Sequence, residues 1–272
     1  MPTPLIVLAL FLVPADPDPA DLARRALRTG DFAAARMHAE AAVKAGPSAD
    51  RYALLGAACD GLKDHPAAAT AYEQAAKLAP DEPTYRDRLG DALLKAGRFA
   101  DAVAAFDAVL KARPDFAPEH WRRGIALYYA GRYADGAKQF ETHRTANPED
   151  VENAVWHYLC HARVVGKEKA RSDYIPVTRD RRVPMAEVHK LFAGQATPAD
   201  VLAAAEREKA DTPAGTAARF YAHLCLALWS EAEGDRAKVL AHLTPAVETY
   251  RVDHYMWDVA KVHLDMAKRR KD

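Results

Sequence analysis

The sequence is short of the residues on which most catalytic sites depend. Its thirteen glycines never stand closer than five positions apart, so a GxG loop for a phosphate or a dinucleotide cannot form. It has no HExxH and no GxSxG motif, and its serines are Ser48, Ser172 and Ser230, none in the setting of a nucleophile. These absences argue against common hydrolases and nucleotide enzymes, and they predict no catalytic residue and no cofactor.

An excess of charge is also missing. Lys+Arg and Asp+Glu are both 38, which gives a formal net charge of zero. Duplex nucleic acid is therefore not expected as a partner, because phosphate binding needs a basic surplus on one face. Half of the chain is apolar and 28% is charged, as in an ordinary globular protein with a core of its own.

Long hydrophobic runs are absent as well. The apolar run from Leu5 to Val13 is far too short to span a bilayer, so no transmembrane segment is predicted. It fits the core of a signal peptide with cleavage after Ala15, which predicts residues 1–15 as a signal peptide and an exported protein, periplasmic or secreted. No Lys or Arg precedes the run; the alternative is a hydrophobic cap on the first helices of a cytoplasmic protein.

What the sequence does have is an internal repeat. The prolines Pro80, Pro114 and Pro148 lie 34 residues apart. At the same interval stand three further sets of residues: Gly56, Gly90 and Gly124; Ala68, Ala102 and Gly136; Tyr72, Phe106 and Phe140. Small residues let two helices approach closely, aromatic rings fill the volume between neighbouring units, and a proline ends a helix. The pattern predicts tandem helical hairpins.

A 34-residue period with these residues resembles the tetratricopeptide repeat. The resemblance covers residues 49–82, 83–116 and 117–150, with a weaker copy at 16–48, and the third unit is the least regular because its usual leucine position holds Arg123. It implies an all-α fold, a right-handed superhelix of tetratricopeptide hairpins whose first helices line a concave wall. A helical C-terminal extension follows at 151–272.

The C-terminal region keeps its helical periodicity but loses the 34-residue register. Residues 220–250 resemble a degenerate repeat with Gly234 at its turn, and a final helix from about His254 is expected to cap the stack. The region resembles the NlpI family of bacterial envelope repeat proteins, through Trp156, Tyr158 and Leu159, the segment 187–194, Val201-Leu202 and residues 220–247. The resemblance implies an adaptor that holds a processing protease and cell-wall hydrolases, often as a homodimer. Members typically carry a lipid on an N-terminal cysteine, but no cysteine precedes Cys59 here.

The predicted binding site lies on the first helices of the second and third units. Trp121, Ile125 and Tyr128 follow i, i+4, i+7 and share one stripe. By repeat register they face the groove, and the neighbouring contacts are Arg122, Tyr129, Asp87, Asp91 and Lys95. An aromatic floor flanked by charge of both signs suits a partner's peptide, so the sequence predicts a non-enzymatic scaffold. The alternative is that Trp121 and Tyr128 pack inward to compensate for His120 and Arg123.

One group of residues allows an enzyme as an alternative. His157, Cys160 and His161 lie at i, i+3 and i+4, a spacing at which imidazole and thiolate can share zinc, and His223 with Cys225 could add a ligand. This would be a metal-dependent or hydrolytic enzyme. The same residues also suit ordinary helix packing in a chain with 11 histidines, and no metal site is predicted. Whether Cys160 and Cys225 form a disulfide is left open by the sequence.

Overall fold

The computed structural model describes residues 17–269, where it has fifteen α-helices, one 3-10 helix and no strand. The predicted signal peptide lies outside the described residues. The chain forms two compact units, one ending at Leu78 and the other beginning at Ala79. Residues 79–150 and the C-terminal region therefore belong to the same unit.

The first unit has two helical hairpins. Its helices are α1 (Pro19–Thr29), α2 (Phe32–Ala45), α3 (Ala49–Gly61) and α4 (His65–Leu78). The side chains of Asp18 and Ser48 cap α1 and α3 by accepting hydrogen bonds from first-turn amides, and Gly30 ends α1 at a φ of 74°. Small side chains dominate the core, so these helices pack closely.

The second unit begins with two more hairpins. They consist of α5 (Pro83–Lys95), α6 (Phe99–Ala112), α7 (Trp121–Tyr129) and α8 (Tyr133–His143). A 3-10 helix at Pro114–Glu119, with Pro118 inside it, replaces the first turn expected for α7. The helix α7 is consequently nine residues long, against thirteen for α5. The third repeat thus differs from the second at its start, whereas Arg123, on which the irregularity was predicted, lies within α7.

The repeated glycines and aromatic residues meet in pairs. A Cβ added at Gly56 would lie 2.8 Å from the Tyr72 ring, and one at Gly90 or Gly124 would lie 2.5 Å from Phe106 or Phe140. The ring of each hairpin therefore rests on the glycine of the same hairpin, rather than lying only between neighbours as the spacing suggested. Phe106 also contacts the next hairpin, because the centroid of its ring is 4.7 Å from that of the His120 ring.

Seven helices complete the second unit. They are α9 (Val151–Val165), α10 (Lys167–Ser172), α11 (Met185–Phe192), α12 (Pro198–Ala205), α13 (Pro213–Glu233), α14 (Arg236–Glu248) and α15 (Tyr255–Arg269). The pair α13–α14 turns at Gly234, whose φ is 78°, within the predicted degenerate repeat. The last helix packs on α14 and returns to contact α5. Of the helices between residues 17 and 269, none has the length and apolar character needed to cross a bilayer.

Candidate partner-binding surface

The last helix contacts part of the wall on which the binding site was predicted. The ring of Tyr255 in α15 meets Trp121 of α7 edge-on at 5.0 Å, and Lys95 Nζ lies 5.0 Å from the centre of the same ring. Further along, the Tyr129 hydroxyl is 3.1 Å from His263 Nδ1. A segment of the chain itself thus occupies part of the surface formed by α5 and α7.

Three of the eight predicted contact residues are buried, and a fourth, Lys95, has a side chain that is only 7% exposed. Ile125 and Tyr128 are 1% and 5% exposed, and the Tyr128 ring packs on Trp156, with centroids 5.5 Å apart. Asp91 and Lys95 form a buried ion pair of 3.1 Å. These four residues do not offer an open contact surface, and for Tyr128 the inward-packing alternative is the one observed. Trp121, Arg122, Tyr129 and Asp87 remain half-buried.

Trp121 borders an open cavity of about 310 Å³, which we call the Trp121 cavity. Helices α7, α8 and α9 form its walls, and His254 and Met256 close one side at the start of α15. The apolar part of the lining comes from Trp121, Ile125, Phe140 and Trp156; the acidic part comes from Glu119, Asp150 and Glu152. The chain's own C-terminal segment borders this cavity without filling it.

An arginine from the loop before α11 is held at the acidic edge of the Trp121 cavity. Arg182 Nη2 lies 2.8 Å from Asp150 and 2.6 Å from Asp180, and its Nη1 lies 2.5 Å from Glu152. Three carboxylates therefore share one guanidinium. Burial raises the pKa of Glu152 to about 7, although the charge of Arg182 acts in the opposite direction.

Four more of the predicted residues border two other cavities of the second unit. Asp87 and Arg122 line one of about 300 Å³, together with Pro83, Val109 and Phe116. Burial by itself would raise the pKa of Asp87, but His120 and Arg122 beside it lower that pKa to about 2. Tyr128 and Tyr129 line a smaller cavity of about 220 Å³ with Arg163 and Glu231. Six of the eight predicted residues are thus divided among three cavities, Asp91 and Lys95 border none of these three, and the eight do not form one continuous stripe.

The histidine and cysteine group on α9 does not converge. His157 Nε2 is 3.4 Å from Glu141, and His161 Nε2 is 3.0 Å from Asp173. Cys160 is fully buried, and burial raises the pKa of its thiol. In residues 17–269 no three His, Cys, Asp or Glu side chains are placed to hold a metal ion. Cys59, Cys160 and Cys225 are free, buried thiols, so the pairing of Cys160 with Cys225 is not observed.

The acidic part of the surface was missed by the sequence reasoning. The loop at 175–184 contains several arginines and prolines, but nothing in their spacing shows that Arg182 reaches Glu152, 30 positions earlier. Asn153 was also missed, since a lone asparagine within an apolar helix has no distinguishing sequence signal. Arg182 and Asn153 both line the Trp121 cavity.

Comparison with known proteins agrees with this architecture. The family model for the tetratricopeptide repeat matches residues 20–83 and 88–151. MamA 41-end from Desulfovibrio magneticus RS-1 is similar in structure, with a TM-score of 0.52 and 22% identity over 57% of this chain and 91% of that chain. MamA AMB-1 C2221 has a TM-score of 0.52 and 18% identity over 66% of this chain and 96% of that one. No curated protein matches the sequence.

At these levels of identity the MamA structures are evidence for the fold alone. The repeat spacing, the helical hairpins and the family match agree on the same part of the chain. Residues 17–269 form an all-α fold, and residues 20–83 and 88–151 match the tetratricopeptide repeat.

Proposed function

We propose that the protein is a non-enzymatic scaffold that recruits a polypeptide partner through the Trp121 cavity. The observation that carries this proposal is that α7, the first helix of the third repeat, presents a half-buried tryptophan to an open cavity of about 310 Å³. Partly buried aromatic residues in such cavities are typical anchors of protein interfaces, because the partner removes the remaining apolar surface from water.

The predicted contact residues take two roles in this proposal. Trp121 makes the central contact, while Arg122, Tyr129 and Asp87, which are half-buried, contact the partner beside it. The buried residues Ile125, Tyr128, Asp91 and Lys95 support the shape of the wall from behind. Replacing a buried residue would therefore disturb folding as well as binding, which makes Tyr128 a poor choice for a test.

The test is to fill the cavity from its rim. Asn147 lines the cavity and is exposed, so Asn147→Trp adds an indole there without removing a core side chain. Gln195→Trp is the matched control, since it places the same ring at an exposed amide position that does not line the cavity. Both variants and the unaltered protein are used to capture partners from an extract of the source organism, and bound proteins are quantified by mass spectrometry.

We expect Asn147→Trp to lose specific partners that Gln195→Trp retains. Thermal unfolding of both variants shows whether either substitution has harmed the fold. A stably folded Asn147→Trp variant that captures every partner at the unaltered level would contradict the assignment of the cavity.

A more specific form of the proposal concerns the cell envelope. The apolar segment Leu5–Val13 and the resemblance to the NlpI family support an exported adaptor that assists envelope proteolysis or cell-wall turnover, acting as a homodimer. N-terminal sequencing of the protein purified from its source organism tests export: we expect the mature chain to begin at Asp16. A chain that still begins at the first residues and is recovered with cytoplasmic proteins would rule out export, and light scattering of the purified protein tests the dimer.

A further inference from the structure

The Trp121 cavity combines aromatic and acidic surfaces in a way that an apolar peptide anchor would not require. Two indole rings, those of Trp121 and Trp156, share the lining with the carboxylates of Glu119, Asp150 and Glu152. The face of an indole ring attracts cations through its quadrupole, and carboxylates attract them directly. Both parts of the lining therefore favour a positively charged group.

A buried polar atom in the same lining points to a hydrogen-bond donor. Asn153 is 4% exposed, and its Nδ2 donates to the carbonyl oxygen of Phe140 at 3.1 Å. Among the described residues, none donates a hydrogen bond to its Oδ1. An unsatisfied buried acceptor costs free energy, and a ligand with an N–H group would remove that cost.

The charged side chains around the cavity carry more negative than positive charge, which favours the binding of a further cation. Asp150, Glu152 and Asp180 surround the guanidinium of Arg182, so the cluster keeps an excess of negative charge. Glu119, which is exposed, adds a further carboxylate to the lining. Arg182 already pairs with these three carboxylates, and the rest of the lining offers separate acceptors and indole rings. A compact ammonium with three donors suits such a lining better than a second guanidinium.

We infer that the Trp121 cavity binds the ammonium group of a lysine side chain from the partner polypeptide. The inference rests on the proposed function, and it specifies the chemistry of the partner at this cavity. The methylene stem of the lysine lies between Trp121 and Trp156, and its ammonium donates to Asn153 Oδ1 and to the carboxylates.

The experiment uses the full chain labelled with ¹⁵N and follows the indole N–H signals of its tryptophans by NMR. The probe is Nα-acetyl-lysine N-methylamide, and the matched control is the norleucine derivative, which keeps the stem but lacks the charge. The titration is done at pH 8, where Glu152 is mainly ionised. Trp121→Phe and Trp156→Phe assign the two cavity signals, while Trp229 and Trp257 do not line the cavity and serve as internal references.

We expect saturable shifts of the Trp121 and Trp156 signals with the lysine probe, with a Kd on the order of 1 mM, and none with norleucine. Glu119→Gln should weaken binding about three-fold, because it removes one exposed carboxylate, whereas Glu168→Gln, an exposed glutamate outside the cavity, should leave it unchanged. Equal shifts with norleucine, no shift with lysine, or equal affinities of the two variants would each overturn the inference. If partner capture remained sensitive to Asn147→Trp in those cases, the scaffold proposal would still stand.

Discussion

At the scale of single residues, Gly124 determines how closely α7 and α8 approach. A Cβ at this position would lie 2.5 Å from Phe140 Cζ, which is too close for two non-bonded carbon atoms, so the buried ring or the two helices would have to shift. We predict that Gly124→Ala lowers the free energy of unfolding by about 1–3 kcal/mol, even though alanine is the better helix former, because the core becomes overpacked. Urea unfolding followed by circular dichroism measures the effect.

The control for this prediction is a double-mutant cycle with Phe140→Leu. The smaller side chain removes the ring that the new methyl group would strike, so Gly124→Ala should cost less in the Phe140→Leu background. An equal cost in both backgrounds would show that the glycine is needed for a reason other than the ring.

Glu152 gives a prediction about pH. Its pKa in the folded protein is raised from 4.5 to about 7 by burial, so the folded state binds a proton more tightly than the unfolded state does. The stabilisation is complete below about pH 4.5 and is lost as the pH rises towards and through 7; between pH 5.5 and 8 the loss is about 2 kcal/mol. Thermal unfolding across this range should show the unaltered protein losing stability relative to Glu152→Gln. A constant difference between the two proteins would mean that Glu152 ionises normally.

At the scale of elements, α15 is the last helix of the chain and also contacts helices of the repeats. It packs on α14, while its Tyr255 and His263 contact Trp121 and Tyr129 of α7. Ala260, on its buried face, is 0% exposed. We predict that Ala260→Glu destabilises the protein by about 3 kcal/mol or more, because a carboxylate is forced into a closed interface.

The control for the α15 prediction is Lys261→Ala on the exposed side of the same helix. It removes an i,i+4 pair with Asp265 and should cost less than about 0.5 kcal/mol. If both substitutions had similar small effects on urea unfolding, α15 would not be docked as described.

The elements also show what the sequence could predict. The helices from α3 to α8 follow from the 34-residue period, since the same glycine, alanine, aromatic and proline positions recur in successive repeats and each repeat gives the same prediction. The six-residue helix α10 was missed because a short, charged segment has no apolar period to detect. The contact between Trp121 and Tyr255 could not be predicted, because the two residues are more than 130 positions apart and the spacing of neighbouring residues carries no information about such a contact. For the same reason the sequence placed Trp121 and Ile125 in the candidate site but not Phe140 and Trp156, and it did not indicate the carboxylates that surround Arg182.

At the scale of the whole molecule, the two units differ in what fills their cores. The buried apolar positions of the first unit are mainly alanines, such as Ala26, Ala35 and Ala58, with Tyr72 as the largest buried side chain. All of the largest fully buried side chains among residues 17–269, including Phe106, Tyr158 and Phe220, belong to the second unit. Because stabilisation scales with the apolar area buried, the second unit holds most of the stabilising core.

This difference predicts how the chain behaves when it is divided at the boundary between Leu78 and Ala79. A fragment of residues 79–272 should keep its helical circular dichroism and unfold cooperatively in urea, because it contains all of the largest fully buried side chains among residues 17–269. A fragment of residues 16–78 should be much less helical, since four short helices with an alanine-rich core bury too little apolar surface to offset the conformational entropy lost on folding. A mixture of the two fragments, measured at several concentrations, is the control, because association between them would make the helical signal depend on concentration. Loss of cooperative unfolding in the 79–272 fragment would mean that the core of the second unit does not suffice, and that its stability depends on the first.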